Sequence, residues 1–430
     1  MAAGKALDFS HYMAMMFAMK IHPLLLGFAG AVTVAAASLT GAPASGPVEF
    51  RPHDIDANFR GGYAVAVADF NKDGKLDVMP NSLSVSEVGW YENPGWQRHV
   101  IVPEMTQIVN QAIADLNGDG IPEVAYENSF AMQAANSKGI VWVARSQGNP
   151  AQPWKADKID EFPTSHHLAW ADLDGDGKVE LVNAPLIGEK SLAPTYDQDK
   201  ASVFFYLQSD WKRQTITTTI PGIIHRVRAN KWDGNKRDQL LVASFEGVGL
   251  YRSTGTGANM KWEKELLTKG HEEAAPRAGA SDVGVGKQDG KKFFATIEPW
   301  HGNEVVVYTE GPAKKWNRRV IFDKVASGHE IAVVDLNGDG RDDIVANDNQ
   351  APNQRNPNLP YGGVHIFYAP ENAATGEWKY QRLEDKAAMN GCVGADINND
   401  KKLDVVCTGA SGIVRWYENL GPAGAGKTQQ

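Results

Sequence analysis

Apolar and polar positions alternate with a period of two in short runs along the chain, and turn residues close each run, the pattern of half-buried β-strands. Ala64 to Asp69, Leu76 to Asn81, Val88 to Asn93 and Trp96 to Val102 are predicted as four successive strands, A to D. The first two recur as Ala112 to Asp115 with Glu123 to Tyr126, Leu168 to Asp172 with Glu180 to Val182, and Ile331 to Asp335 with Asp343 to Ala346. An aromatic residue opens strand D each time: Phe50, Trp96, Trp154, Trp211, Trp262, Trp316 and Trp378. That spacing of roughly 50 residues suits one four-stranded unit per repeat, and the seven markers predict an all-β, seven-bladed propeller. The last unit supplies only Cys392 to Asp396, Leu403 to Thr408 and Ile413 to Glu418. Its fourth strand is predicted at the other end of the chain, Glu49 to Ile55, so the N-terminal strand closes the ring and covers a sheet edge. An aromatic repeated in every blade reads as packing, whereas Trp300 stands outside the series and is a candidate ligand contact.

A second pattern runs in step with the first. The sequence D-x-[ND]-x-D-G-x-x-[DE] joins strand A to strand B and places side-chain oxygens at positions 1, 3, 5 and 9, with a turn glycine at position 6. Hard oxygen ligands at that spacing suit Ca2+. The predicted ligand sets are Asp69, Asn71, Asp73 and Asp77; Asp115, Asn117, Asp119 and Glu123; Asp172, Asp174, Asp176 and Glu180; Asp335, Asn337, Asp339 and Asp343; and Asp396, Asn398, Asp400 and Asp404, where Lys401 replaces the glycine. Only the Asp-Gly pair survives around Asp233 and Asp289. All these loops lie on one rim, so calcium is expected to stabilise hairpins; an Asx-rich turn without an ion is the alternative.

The repeat fills residues 47–420 and leaves room for one domain. Residues 1–44 read as a signal peptide: an apolar stretch from Pro23 to Ala37 follows Lys20, Ala42, Pro43 and Ala44 suit cleavage, and Met19 is an alternative start. A secreted or periplasmic protein with no membrane span is expected, with a flexible tail at 421–430. Lys and Arg number 43 against 52 Asp and Glu, a net charge of -9. Five bound calcium ions would add about ten positive charges, so the acidity reports on metal sites rather than on a partner. There is no basic tract, no nucleic-acid partner is indicated, and a monomer is expected. Cys392 and Cys407 flank the last acidic loop; a disulfide and a pair of small core residues both suit that placement.

The acidic loops on this strand pattern resemble the FG-GAP or VCBS repeats of integrin-type propellers over nearly the whole mature chain. The seven-bladed secreted arrangement with a His and Arg-rich face is also similar to propeller-type polysaccharide lyases, including ulvan and rhamnose-glucuronate lyases, and to the propeller domain of aldos-2-ulose dehydratase. These resemblances imply a carbohydrate-active protein with a saccharide partner.

The rim opposite the acidic loops holds the starts of the strands A and the loops joining strands B and C. It gathers His166, His167, His225, Arg226, Arg277 and His329, with Lys190, Tyr196, Trp300 and His301 from the B–C loops. Five of the 11 histidines fall there, and packing gives no reason for that. His167 is expected to take the place in its blade that His225 takes in the next. Two chemistries fit. Arg226, Arg277 and Lys190 could neutralise a uronate carboxylate while His167 and His225 act as base and acid, with Tyr196 an alternative acid, in β-elimination from a uronic-acid polysaccharide. In the second, His166, His225 or His329 with Glu330 hold an additional divalent metal such as zinc for sugar dehydration. A non-catalytic binding or adhesion module is the third reading. The loops from Ala184 to Lys200 and from Asn347 to Gly363 are longer than a propeller needs and are expected to shape a cleft.

Overall fold

The computed structural model describes residues 46–352 and 357–423. The expected signal segment, the end of the expected tail and part of the loop 347–363 lie outside the described residues. Seven antiparallel four-stranded sheets follow one another in chain order. Their inner strands are Gly62–Ala68, Asn110–Ala114, Ser165–Ala171, Ile224–Asn230, Asp282–Gln288, Gly328–Val334 and Gly391–Ala395. The seventh sheet has the order Val48–Asp56, Ile413–Pro422, Asp404–Gly409, Gly391–Ala395, so the first strand of the fold completes the last blade as predicted. Glu49 faces Gly421 and Val48 faces Pro422, which carries the closing strand into the first residues of the expected tail. A separate two-stranded ribbon, His271–Glu272 with Ala278–Gly279, lies between blades 4 and 5 and is too short for alternation to reveal.

The periodic aromatics pack as expected, each against the preceding blade. Trp154 of blade 2 joins Phe70 and Trp90 of blade 1, and Trp378 of blade 6 joins Phe293 of blade 5. Trp262 meets Phe205, and Phe50 joins the cluster of Val345 and Tyr368. Trp96, Trp154, Trp211 and Trp378 stand in the turn just before strand D rather than inside it.

The A–B loops are built around the carboxylate at position 9. Asp77, Asp343 and Asp404 are fully buried, and one oxygen of each accepts the N–H at position 2, from Phe70, Leu336 and Ile397. The other oxygen accepts the N–H of Asn93 or Ala369 just past strand C, or of Asn419 near its end. Glu123 and Glu180 make the first of these bonds, to Leu116 and Leu173. Each such carboxylate therefore staples the end of strand A, and in three blades the end of strand C as well. Burial pushes Asp77 and Asp404 up to about 6, Glu180 to about 7 and Asp343 to about 8, with neighbouring carboxylates adding to the shift in each.

Cys392 and Cys407 face one another on adjacent strands and form a disulfide.

Candidate functional site

Strand register decides which side chains share a level around the axis. Ala171 pairs with Glu180, Asn230 with Gln239, Val334 with Asp343 and Ala68 with Asp77, so these four strand ends correspond. Counting back, Tyr63, His166, His225 and His329 occupy one level, and Ala64, His167, Arg226 and Glu330 the next. The counterpart of His225 is therefore His166, not His167 as expected. The sequence match was misaligned by one because Lys231, not Asn230, stands where blade 3 has Asp172. A one-residue slip in a strand moves a side chain to the opposite face.

The outer level forms a cluster with His301, which reaches in from the B–C loop of blade 5. His225 Nδ1 lies 3.0 Å from the Ser281 carbonyl, and its Nε2 lies 3.1 Å from His301 Nε2. His329 Nδ1 lies 2.6 Å from the Asn390 carbonyl. The Tyr63 hydroxyl sits 3.1 Å from both His329 Nε2 and His166 Nε2. One ring nitrogen from each of His225, His301 and His329 falls within 4.8 Å of the others. Desolvation, reinforced by the neighbouring imidazoles and by Arg226, lowers His166 and His225 well below the usual histidine range. His301 falls to about 3 by burial, with repulsion from any proton on His329 adding to it, and His329 to about 4 by burial and Arg226. All four rings are neutral at pH 7.

Neutral rings allow their protons to be assigned. A carbonyl only accepts, so His225 and His329 carry their protons on Nδ1 and present bare Nε2 lone pairs to the centre. Backbone carbonyls thus fix both tautomers in the form that binds a divalent metal. Imidazole is a ligand suited to zinc, and three such nitrogens leave a coordination position for substrate. His225, His301 and His329 fit such an ion. His301 donates to His225 through Nε2 and would have to release that proton. Of the expected metal set, Glu330 belongs to the inner level, whereas His166 adjoins the trio, its ring 5.2 Å from that of His225, and turns its Nε2 to Tyr63.

The inner level is a charge network around a cavity of about 290 Å3 lined by Asn110, Gln111, His167, Arg226, Arg228 and Glu330 among others. Arg226 pairs with Asp282 at 3.2 Å, with Glu330 and with His167 Nε2. Arg228 grips Asp282 through two bonds of 3.1 and 2.7 Å. The terminal nitrogens of Arg226 are thus taken by Glu330 and by His167, which accepts, while its Nε lies beside Asp282 without a hydrogen bond among the described residues. Arg277 is not on an inner strand, as expected, but in the ribbon between blades 4 and 5, exposed and paired with Glu273 at 2.9 Å. Lys190 is exposed on the blade 3 loop that also carries Tyr196. Tyr196 packs edge-on to Trp300 at 6.0 Å, and Trp300 stacks beside His301 at 4.7 Å, so these two aromatics wall the histidine cluster.

Tyr63 and Asn390 fall among the strand A starts in the sequence but were given no role there, and Ser281 and Asp282 were not singled out. Tyr63 shares the histidines' register, a signal that reveals it once the strands are correctly aligned. Ser281 and Asn390 act through backbone carbonyls, which no residue type announces. A separate cavity of about 690 Å3 opens between 288–293 and 371–374, and it contains none of the predicted rim residues.

Residues 138–311 match the family described as the β-propeller domain of aldos-2-ulose dehydratase. This segment includes His166, His225 and His301 but not Tyr63 or His329. Among curated proteins, the chain is 23% identical over 317 residues to the aldos-2-ulose dehydratase of Phanerodontia chrysosporium, covering 66% of this chain and 33% of that protein. The chain thus spans about a third of that relative's length. Among solved structures it is similar to an ancestral GH74 enzyme, with a TM-score of 0.55 and 11% identity over 84% of this chain and 48% of that one. That likeness shows the fold alone.

Proposed function

We propose that the protein eliminates water from a keto sugar at the histidine cluster, with a divalent metal such as zinc held by His225, His301 and His329. The observation that carries this reading is the pair of carbonyl-fixed tautomers that aim bare Nε2 lone pairs at one point. Similarity to an aldos-2-ulose dehydratase over 138–311 supports the substrate class. A bound zinc ion supplies Lewis acidity toward a sugar carbonyl, which acidifies the adjacent C–H. The chain's own groups do the rest: neutral His166 and Tyr63 stand beside the trio as proton-transfer groups, and Trp300 and Tyr196 flank the approach. Elimination from a uronate is less well supported, because Arg226 and Arg277 are both paired with carboxylates.

The test is to incubate zinc-loaded and chelator-treated protein with a panel of 2-keto sugars and of uronic-acid polysaccharides, following the ultraviolet absorbance of the conjugated product. A zinc-dependent rise with keto sugars is expected. A rise with polyuronates alone would replace this reading by lyase chemistry, and no rise on either would leave a binding module.

Calcium at the A–B loops belongs to the same reading. The carboxylates of Asp172, Asp174 and Asp176 approach within 4.8 Å of one another, where like charges repel unless a cation joins them. Millimolar calcium is expected to raise the thermal midpoint, and a chelator to lower it, with Asp172→Ala removing part of the effect. A site filled at a hundredfold excess over its Kd adds about 2.7 kcal/mol. A midpoint indifferent to calcium would show that the loops hold themselves by the position 9 staples and by the backbone N–H bonds that positions 1, 3 and 5 accept, as Asp69, Asn71 and Asp73 do. The disulfide accords with export to an oxidising compartment.

A further inference from the structure

We propose that Glu127 is a positioning residue which, through His166, holds the Tyr63 hydroxyl as a hydrogen-bond donor to the ligand of the histidine cluster. The proposal rests on the reading of that cluster as a catalytic centre.

Glu127 and Asn110 are directly opposite on neighbouring strands of blade 2, so their side chains leave the same face. Asn110 Oδ1 accepts the N–H of Leu168 in blade 3 at 3.0 Å, so that face is turned to the strand that carries His166. Phe130, just beyond Glu127 in the chain, lies 5.3 Å from the His166 ring. Glu127 is fully buried, and neither carboxyl oxygen has a hydrogen-bond partner among the described residues. Burial pushes its carboxyl well above the usual range, so it stays a carboxylic acid with an O–H to give.

The complementary orphan is His166 Nδ1. His329 presents a bare Nε2, so the single Tyr63 proton points to His329, and His166 must then donate to Tyr63 from its own Nε2. A neutral His166 protonated on Nε2 has a bare Nδ1, and that atom is enclosed and unpartnered among the described residues. A donor acid and a bare acceptor nitrogen thus stand on facing sheets, where one bridging water would satisfy both. The resulting chain runs from Glu127 through His166 to Tyr63, every donor pointing inward. When a metal takes His329 Nε2, Tyr63 loses its acceptor but still receives the His166 N–H, so its own O–H is free for a substrate oxygen.

The experiment compares Glu127→Gln, whose amide still donates, with Glu127→Leu, which cannot. With a keto sugar that the wild type dehydrates, Glu127→Leu is expected to lower kcat about 10–100-fold, as loss of an outer partner does at metal sites. Glu127→Gln should retain most of the rate, and Glu127→Leu should add nothing to Tyr63→Phe. Equal damage from both substitutions, or a full additional loss on Tyr63→Phe, would overturn the proposal. Nitrogen-15 NMR reads the same point without turnover: His166 should be protonated on Nε2 in the wild type and in Glu127→Gln, and an Nδ1 proton would overturn the assignment. If the wild type dehydrates nothing, the proposed function fails while the NMR result still decides the direction of the chain.

Discussion

Replacing His225 by Ala is expected to remove both zinc retention and dehydration of keto sugars, while His167→Ala leaves zinc retention intact. The two residues lie on different levels: His225 turns its Nε2 to His301 and His329, whereas His167 spends its Nε2 on Arg226. Loss of His225 deletes a proposed ligand whose tautomer is already fixed by Ser281, so the effect should exceed the ~10–100-fold that loss of an outer-shell partner costs. The substitution also leaves the Ser281 carbonyl without its donor, and a melting curve must accompany the assay. The decisive measurement is zinc stoichiometry in folded variants. Wild-type zinc content in His225→Ala would refute the metal assignment, and loss of zinc in His167→Ala would move the site one level inward. A base role for His167 in lyase chemistry would instead show as lost turnover of polyuronates with no change in metal.

The architecture was largely legible because it is written in repeated patterns. Alternation marks strands, and each strand D aromatic recurs because each blade needs a large side chain against its predecessor. The closing strand was readable from the last unit's missing fourth strand, since an open edge demands a partner. The site was legible only in outline. Five rim histidines stand out by number, yet their levels depend on register, and the motif-based alignment of blade 4 slipped by one where the acidic loop has decayed to Lys231. The charges misled more. Arg226 looked like a free cation in sequence, but its neutralising partners Asp282 and Glu330 come from blades 5 and 6, distances that no local pattern encodes. Arg277 misled because a short ribbon displaces it from the inner strand. The position 9 carboxylates carried a second role hidden behind the ligand pattern, since only the fold shows that they also cap the ends of strands A and C.

Arg226→Met is expected to destabilise the fold by about 3–5 kcal/mol, the range found when one partner of a buried ion pair is deleted. The Arg226 side chain is only 7% exposed and serves two carboxylates on different blades, Asp282 and Glu330, the former fully buried. Burial alone would push Asp282 up, but Arg226, Arg228 and its hydrogen bonds together draw it below the usual range. Removing Arg226 leaves Arg228 to hold Asp282 and leaves Glu330 without its cation. Arg226→Met with Glu330→Gln should recover part of the loss, because it removes the orphaned charge rather than restoring the pair. Arg226→Lys should fall between wild type and Met, since a lysine keeps the charge but cannot span three partners with a planar fork. Denaturant titration of the three variants decides the matter: a change below about 1 kcal/mol for Arg226→Met would mean that the network contributes no more than a surface pair and that Arg226 is available for a ligand.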